Sequence, residues 1–510
     1  MAHILSLISY IYYDNSPIFA ALYRMKKTFI TNLILVLTLN LSIKPFWILG
    51  IDRAVQNQVG KFEYGVYSAL LSFTFIFSII LDLGITNFNN RNIAQNTHLL
   101  SKHFSRIVIL KLTLALAYLA ICALVGFSIG YDARRMKLLL ILCFMMFLVS
   151  FILYLRSNIS GMHLFKTDSL LSAMDRMIGI AICAPFIWGH FLAHNIDIMD
   201  YVYIQTSAYF LVALIAFIIV VRKAGFIKFE WTRAFSLMIL KKSFPFAILV
   251  MLMSFYNRID QVMLERLMHD NGAETGIYAQ AFRLLDATNM IAMLAAGLLL
   301  PIFARMLKLK DSVESLVKTS YTLLFALAIV IASGCCFYAD DIMQMLYKGS
   351  STDIAETAMV FRVLMCCFMG TTTQYVFGTL LTANGNLKQM NIIAACGMAV
   401  NVTANLILIP HFHALGAAIT SLMTQLLVPG LQIFVAQKIF KFNIIPKMML
   451  TLLIFLVGVL GLAFFSTRLT SGMHLDWKIS FVAFVAASGV WALTAGVINV
   501  KSLLKAVKLG

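Results

Sequence analysis

Residues 137–155 read KLLLILCFMMFLVSFILYL, a run in which only the first residue, Lys137, is charged. An α-helix rises about 1.5 Å per residue, so this run is long enough to cross the hydrocarbon layer of a bilayer, about 30 Å thick. Comparable runs recur along the chain. Of its 510 residues, 61% are hydrophobic and 12% are charged, which is about half the charged share of soluble proteins. The sequence therefore predicts an all-α protein that crosses the membrane many times.

Fourteen runs of this kind are predicted to be transmembrane helices. They cover residues 28–50, 65–88, 107–129, 137–155, 169–192, 201–221, 244–264, 277–303, 316–339, 357–383, 389–410, 414–437, 448–466 and 479–500. No gap between them is long enough for a folded soluble domain. The predicted division is an N-terminal segment (1–27), a six-helix bundle (28–221), a basic cytoplasmic linker (222–243), a second six-helix bundle (244–437), and two further helices with a basic tail (438–510).

The N-terminal segment does not have the order of a signal peptide. Arg24, Lys26 and Lys27 follow the apolar stretch instead of preceding it, and residues 1–23 are too broken by polar residues to span. Two interpretations remain open. Either the segment is an interfacial helix, or Met25 is the natural start and the first 24 residues are a mis-assigned extension.

The positive charge of the chain predicts its orientation. The formal charge is +18, but Lys and Arg occur in short clusters between apolar runs, unlike a nucleic-acid-binding face. With the N-terminus in the cytoplasm, 25 of the 40 Lys and Arg residues fall in cytoplasmic segments and 9 in outer loops. This bias predicts that both termini are cytoplasmic in a bacterial inner membrane. Arg134, Arg135 and Lys137 are exceptions in an outer loop.

A short repeat relates the two bundles. YGVY at 64–67 opens the second span, and TGIY at 275–278 opens the eighth, six helices later. An even offset gives both copies the same orientation in the membrane. The halves are therefore predicted to be parallel repeats about an axis along the membrane normal.

The sequence contains no recognisable catalytic motif. It has no P-loop, GxSxG or HExxH pattern, and its eight cysteines show no metal-ligand spacing. His190 and His194 are four residues apart but lack a third ligand. We therefore expect no enzyme activity, no cofactor, no metal and no nucleic-acid partner.

Charged residues inside predicted spans are the main candidates for function. Each costs about 2.5–3.5 kcal/mol at a helix centre, so such residues usually face a cavity or a partner. The set comprises Lys44, Asp82, Lys111, Asp175, Arg176, Arg258, Asp260, Arg283, Asp286 and Arg362. Lys111 lies within a turn of the inner boundary and is expected to reach the interface. It is therefore not assigned a role.

The remaining cations are predicted to line one chamber. Depth along the helices places Lys44, Arg258, Arg283 and Arg362 in the outer half of the membrane and Arg176 nearer the cytoplasm. The carboxylates assigned to ion pairing or ion coupling are Asp82, Asp260 and Asp286. Arg283 and Asp286 share a helix face, whereas Arg258 and Asp260 do not. Structural ion pairs alone are the alternative, but the excess of cations favours an anionic ligand.

Three stretches resemble the polysaccharide transport branch of the MOP superfamily, which includes the Wzx O-antigen flippases. They are YGVYSALLSFTFIFSIILDLGITNFNNRNIA (64–94); SFYNRIDQVMLERL, ETGIYAQAFRL and LLLPIFARM (within 254–306); and LLTANGNLKQMN with NLILIPHFHALGAAITSLMTQL (within 380–426). The positions that match the family's motifs are Gly65, Tyr67, Asp82, Asp260, Gly276, Tyr278, Pro301, Arg305, Pro410 and Gly416. His413 and Ala414 depart from the Tyr-Gly type of turn that is common in the family.

The resemblance implies two six-helix bundles around a central cavity, two extra C-terminal helices and alternating access. It implies an undecaprenyl-pyrophosphate-linked glycan as cargo, with membrane lipids and the polymerase and chain-length proteins of a glycan pathway as partners. The alternatives are a lipid II flippase, a MATE-type cation-coupled multidrug antiporter, and a membrane scaffold in a polymer-assembly complex. Surplus intramembrane cations argue against a cavity for organic cations. The sequence leaves the glycan and the coupling ion open.

Overall fold

The computed structural model of the protein describes residues 42–86, 89, 93, 100–162, 164–189, 196–225, 233–268, 270, 272–442, 445–473 and 476–497. The predicted N-terminal segment and most of the first predicted span lie outside these residues, as do His190, His194 and part of the predicted linker.

The described residues form helices and their connections only. The helices are α1 (Ser42–Leu81), α2 (Leu100–Ile129), α3 (Ala133–Gly161), α4 (Phe165–Trp188), α5 (Ile198–Ala224), α6 (Arg233–Met268), α7 (Ala273–Leu309), α8 (Glu314–Phe337), α9 (Ala339–Leu346), α10 (Ser351–Ala383), α11 (Leu387–Phe440), α12 (Ile445–Met473) and α13 (Trp477–Thr494). Within the described part of the chain, twelve helices are long and apolar enough to cross a membrane, so the predicted all-α polytopic fold is confirmed.

Helix α1 reverses direction at Gly60, where φ is +80°. In a straight helix, positions 52 and 64 would lie about 18 Å apart. Instead, the Tyr64 hydroxyl donates to the Asp52 carboxylate at 2.9 Å. A positive φ is readily available to glycine because it has no Cβ. The first arm therefore holds the end of the first predicted span, and the second arm holds the second.

Helix α11 reverses in the same way at His413, where φ is +54°. Asn401 donates to Thr424 at 3.3 Å across the two arms. Beside the turn, a Cβ added to Gly416 would lie 2.3 Å from the Leu408 carbonyl oxygen. The departure from the family pattern at His413 therefore coincides with the turn between the eleventh and twelfth predicted spans.

The helices pack as two halves with separate cores. One core is drawn mainly from α1 to α5, with Ile51, Tyr154 and Val212 among its fully buried residues. Two further cores lie in α6 to α13, around Phe377 and around Phe361. Helices α12 and α13 pack against each other and against α8. This arrangement is the predicted pair of bundles with two additional helices.

The repeated glycines meet where the halves touch. A Cβ added to Gly65 would lie 1.9 Å from the Gly272 carbonyl oxygen, and one added to Gly276 would lie 2.1 Å from the Lys61 carbonyl oxygen. Such separations are far below van der Waals contact. The second arm of α1 and the start of α7 therefore pack backbone against backbone. The glycine of each repeat is what allows this approach.

Polar contacts also join the halves at the end of the molecule that carries the Gly60 turn, here called the Gly60 end. Lys61 pairs with Asp353 at 2.8 Å, and the Lys348 backbone N–H donates to Asn57 at 2.9 Å. Arg135 pairs with the buried Glu265 at 3.0 Å. This pairing explains why Arg135 departs from the charge bias of the sequence: its charge is neutralised within the fold.

The close packing at the Gly60 end predicts that Gly276→Ala is destabilising. The added methyl meets backbone that cannot rotate away, and overpacking of this kind costs about 1–3 kcal/mol. We expect a lower melting temperature for the purified protein in detergent. Gly297→Ala on the same helix is the matched control, because nothing lies within 4 Å of its new methyl. Equal melting temperatures for the two variants would contradict the packing described here.

Candidate functional site: a chamber between the two halves

A cavity of about 740 Å³ lies between the halves. Its wall is built by α1, α3, α4 and α5 on one side and by α6, α7, α10 and α11 on the other. The volume falls in the range of about 300–1,000 Å³ that is typical of ligand pockets. Four cationic side chains line the cavity: Lys44, Arg176, Arg258 and Arg283. All four were selected from the sequence.

Two of these cations come from the first half and have weak or no carboxylate pairing. Arg176 stacks its guanidinium 5.0 Å from the Trp47 ring centre and 5.7 Å from that of Tyr209. Its contact with the adjacent Asp175 is 3.5 Å long. Lys44 makes no hydrogen bond and no ion pair with any residue that the structure describes. Both side chains can therefore offer hydrogen-bond donors to a ligand.

The two cations from the second half are each paired with a carboxylate. Arg258 forms a two-pronged pair with Asp286, at 3.2 and 3.4 Å. Its guanidinium lies 5.0 Å from the ring centres of both Phe75 and Phe282. Arg283 pairs through Nε with Asp52 at 3.3 Å. The shared face of Arg283 and Asp286 therefore does not produce a pair between them.

Asp52 is the functional candidate that the sequence reasoning missed. The residue was placed in a polar outer loop, yet it lies in α1 and is 2% exposed. Its carboxylate accepts hydrogen bonds from Tyr64 at 2.9 Å and Tyr201 at 2.7 Å, as well as the contact from Arg283. Residues 51–59 contain no Gly or Pro. The absence of a helix breaker before Gly60 was the available sign that the helix continues.

Arg362 lies away from the chamber. Its Nη2 donates to Asp340 and its Nε donates to the Cys336 carbonyl oxygen at 3.2 Å. The residue is not part of the cavity wall. Depth along a helix gave its level in the membrane but not the direction in which its side chain projects.

Asp82 pairs with Lys111, the residue that was set aside. Lys111 is 1% exposed and its Nζ lies 2.6 Å from Asp82, 2.9 Å from the Ser150 hydroxyl and 3.0 Å from the Leu81 carbonyl oxygen. The expectation that Lys111 reaches the interface is wrong. The pair holds the end of α1, where the chain turns through Leu83 and Gly84 with positive φ.

Asp260 is buried without a cation beside it among the described residues. It is 1% exposed and accepts from Asn405 at 2.6 Å, from Tyr278 at 3.2 Å and from Ser421. Every one of these donors is uncharged. Ser421 also lines the cavity, so this carboxylate lies one side chain away from the chamber.

Most of the other motif positions lie in helix packing or at turns. Tyr67 is buried and lines the cavity. The Tyr278 hydroxyl donates a hydrogen bond to Asp260. Pro410 and Gly416 flank the turn at His413. Pro301 and Arg305 lie in the last third of α7, and Arg305 is exposed.

The wall of the chamber is positively charged overall. Its four cations face two lining carboxylates, Asp52 and Asp286. Adding Asp175, which contacts Arg176 from outside the lining, still leaves one cation in excess. Aromatic side chains of Trp47, Tyr67, Tyr201 and Tyr209 line the same region. The arrangement suits a ligand that is anionic at one part and has ring-shaped, partly apolar groups at another.

Comparison with known proteins assigns the chain to a family. The family model described as polysaccharide biosynthesis protein matches residues 18–307, more than half of the chain. The chain belongs to the polysaccharide biosynthesis protein family. A search of curated proteins gives no match.

Solved structures show the same fold at low sequence identity. "Lipid II flippase MurJ, inward closed conformation" aligns with a TM-score of 0.68 and 14% identity, covering 91% of this chain and 99% of that chain. An inward-facing multidrug resistance MATE family transporter of the MOP superfamily gives 0.60 and 13%, covering 79% and 98%. The structure described as "Reverse polarity of binding pocket suggests different function of a MOP superfamily transporter from Pyrococcus furiosus" gives a TM-score of 0.51 and 13% identity, covering 81% of this chain and 95% of that chain. The predicted resemblance in fold to transporters of this kind is confirmed.

Proposed function

We propose that the protein is a flippase that moves an undecaprenyl-pyrophosphate-linked oligosaccharide across the cytoplasmic membrane by alternating access. The cargo would be an O-antigen, capsule or exopolysaccharide unit. The observation that carries the proposal is the excess of cations in a chamber between two halves of a polysaccharide biosynthesis family member. A pyrophosphate cannot enter hydrocarbon without replacing its hydration, and Lys and Arg side chains are suited to that replacement.

The division of the chamber wall supports a cargo with two chemical parts. Arg176 and Lys44 are not held by strong ion pairs, so they are available for phosphate oxygens. Tyr and Trp rings next to them offer apolar faces and polar edges, which match the faces and hydroxyls of sugar rings. The membrane potential, worth about 2.3 kcal/mol per charge for each 100 mV, favours outward movement of the anion.

A lipid II flippase remains the second candidate, because the MurJ fold covers nearly the whole chain and the same cations would serve its pyrophosphate. The polysaccharide biosynthesis family favours a glycan unit of another polymer. A MATE-type antiporter for organic cations fits the wall less well, since surplus Lys and Arg repel such substrates.

Removal of either weakly paired cation is predicted to impair transport, whereas removal of a cation outside the chamber is not. In a host that lacks its own copy of the gene, we compare Lys44→Gln and Arg176→Gln with Arg362→Gln at equal amounts in the membrane. A charge-assisted hydrogen bond contributes about 1.5–3 kcal/mol. We therefore expect surface glycan to fall about tenfold or more for the first two variants and to stay near the wild-type level for Arg362→Gln.

Mass spectrometry of the lipid extract identifies the cargo in the same strains. Accumulated undecaprenyl-pyrophosphate oligosaccharide in the deleted strain supports the proposal, and accumulated lipid II supports the second candidate. Full surface glycan with Lys44→Gln and Arg176→Gln would show that these cations do not bind the cargo.

We further propose that Asp260 is the residue that couples transport to an ion. Asp82 and Asp286 each have a cationic partner, whereas Asp260 has only neutral donors among the described residues and lies beside the chamber. A buried carboxylate of this kind needs a proton or a cation to balance its charge.

The coupling proposal predicts a selective defect in Asp260→Asn. Transport by this variant in proteoliposomes should lose its stimulation by imposed proton or sodium gradients, while movement down a cargo gradient continues. Asp286→Asn is the control with the same change of charge and should keep the stimulation. A gradient response in Asp260→Asn equal to that of the wild type would exclude Asp260 as the coupling residue.

A further inference from the structure

A second, smaller cavity lies between the halves at the Gly60 end. Its volume is about 240 Å³, and its wall includes Gln56, Lys61, Tyr347, Lys348 and Asp353. We call it the outer pocket. The large chamber and the outer pocket lie one after the other along the boundary between α1 and α7, because both walls contain residues of these two helices.

A single cluster of hydrogen-bonded side chains separates the two cavities. Asp52 lines the chamber, and Gln56 lines the outer pocket. The Gln56 amide donates directly to the Asp52 carboxylate at 3.3 Å. Tyr64, Tyr67 and Tyr201 are each 1% exposed around them. We call Asp52, Tyr64, Tyr201 and Arg283 the plug.

The plug depends on one ion pair between the halves. Asp52 and Tyr64 belong to α1, and Arg283 belongs to α7 in the other half. The Arg283 Nε lies 2.9 Å from the Tyr64 hydroxyl and 3.3 Å from Asp52. The other ion pair in the chamber, between Arg258 and Asp286, lies within the second half. Of the two carboxylate–arginine pairs between different helices in the described chamber wall, the Asp52–Arg283 pair is therefore the one that joins the two halves.

The same guanidinium also has donors left for a ligand. A guanidinium carries five N–H groups, and the contacts of Arg283 with described residues use Nε alone. Its side chain is 18% exposed and lines the chamber. An anion in the chamber can therefore bind the two terminal nitrogens while Asp52 still holds Nε.

We propose that Asp52 is an internal counter-anion that the phosphate of the cargo displaces from Arg283, and that this exchange opens the plug. The proposal rests on the function proposed above. A pyrophosphate carries more negative charge than one carboxylate, so it competes effectively for Arg283. Asp52 is then a buried charge without its counterion, which is a costly state. Separation of α1 from α7 relieves it by admitting water from the outer pocket.

The exchange links the binding of cargo in the chamber to the opening of the Gly60 end. Without an anion, the Asp52–Arg283 pair adds to the contacts that close the halves at the Gly60 end. With an anion, this pair is lost and Asp52 is left as a buried charge that favours separation. Lys61 and Lys348 in the wall of the outer pocket provide positive charge on the far side of the plug.

The test uses disulfide trapping across the Gly60 end. In a parent with Asn57→Cys and Lys348→Cys, whose native side chain and backbone lie 2.9 Å apart, the exposed Cys396 is replaced by Ser. The purified protein in lipid nanodiscs is oxidised with and without inorganic pyrophosphate as the probe, and pyrophosphate binding is measured separately by calorimetry. We expect pyrophosphate to slow trapping in the parent about fivefold or more, within the usual range of coupling between sites.

Three variants in the parent isolate the role of the ion pair. Asp52→Asn should trap slowly even without pyrophosphate. Asp52→Asn combined with Arg283→Gln should trap fast again and ignore pyrophosphate, because no unpaired charge is left in the plug and the other contacts at the Gly60 end still hold the halves together. Asp340→Asn removes a carboxylate from a pair within one half and outside the chamber wall, the pair with Arg362, and should behave like the parent. Fast trapping of the combined variant also shows that the substitutions leave the fold intact.

The outcomes separate this proposal from the proposed function. If Asp52→Asn traps as fast as the parent, or the combined variant stays slow, the ion pair does not close the plug. If pyrophosphate binds all the proteins and Asp52→Asn traps like the parent, the anionic-cargo function stands and the exchange fails. If pyrophosphate binds none of them while Asp52→Asn still traps slowly, the pair closes the plug but an anionic cargo does not release it, which overturns the exchange.

Discussion

A charge within the spanning helices has to be paired, hydrogen-bonded or left facing a ligand, because hydrocarbon offers it no solvation. Each solution occurs in this protein. Lys111 and Asp82 pair deep in the first half, where they fix the end of α1. Asp260 is surrounded by neutral donors. Lys44 and Arg176 face the chamber with weak pairing or none among the described residues. The chamber is therefore the place where the fold leaves positive charge to be balanced by something else.

The same constraint shapes the contact between the halves. Backbone packing at Gly65 and Gly276 brings α1 and α7 close enough for Asp52 to reach Arg283. An ion pair inside one half moves with that half, but an ion pair between halves must break when they separate. The pair between Asp52 and Arg283 is thus one of the contacts that must break if the halves separate. In the proposed exchange, the cargo and Asp52 compete for one guanidinium, so binding of the cargo would change the conformation.

Much of this organisation was predictable from the sequence. Apolar runs such as 137–155 gave the helices, and the repeats at 64–67 and 275–278 gave the relation between the halves. Four of the five predicted chamber cations line the cavity, because a charge in mid-span has few alternatives to the bundle interior. The predictions that failed concern the direction in which a side chain projects and the point at which a helix ends. Arg362 has the right depth but projects toward Asp340. Asp52 was missed because polar residues after a span resemble a loop, although residues 51–59 contain no Gly or Pro. Lys111 was set aside because it lies near the inner boundary of its span, and its pairing with Asp82 depends on packing between α1 and α2 that the sequence does not show.

The central claim is that the cations of the chamber bind the cargo through its pyrophosphate group. It is tested most directly with proteoliposomes that contain the glycan on a polyprenyl pyrophosphate in both leaflets. A membrane-impermeant glycosidase added outside digests only the outer share unless the protein moves the lipid. The account predicts complete digestion with the wild-type protein, slow digestion with Lys44→Gln combined with Arg176→Gln, and no movement of the same glycan on an uncharged polyprenyl glycoside. Equal movement of the charged and uncharged lipids would contradict it.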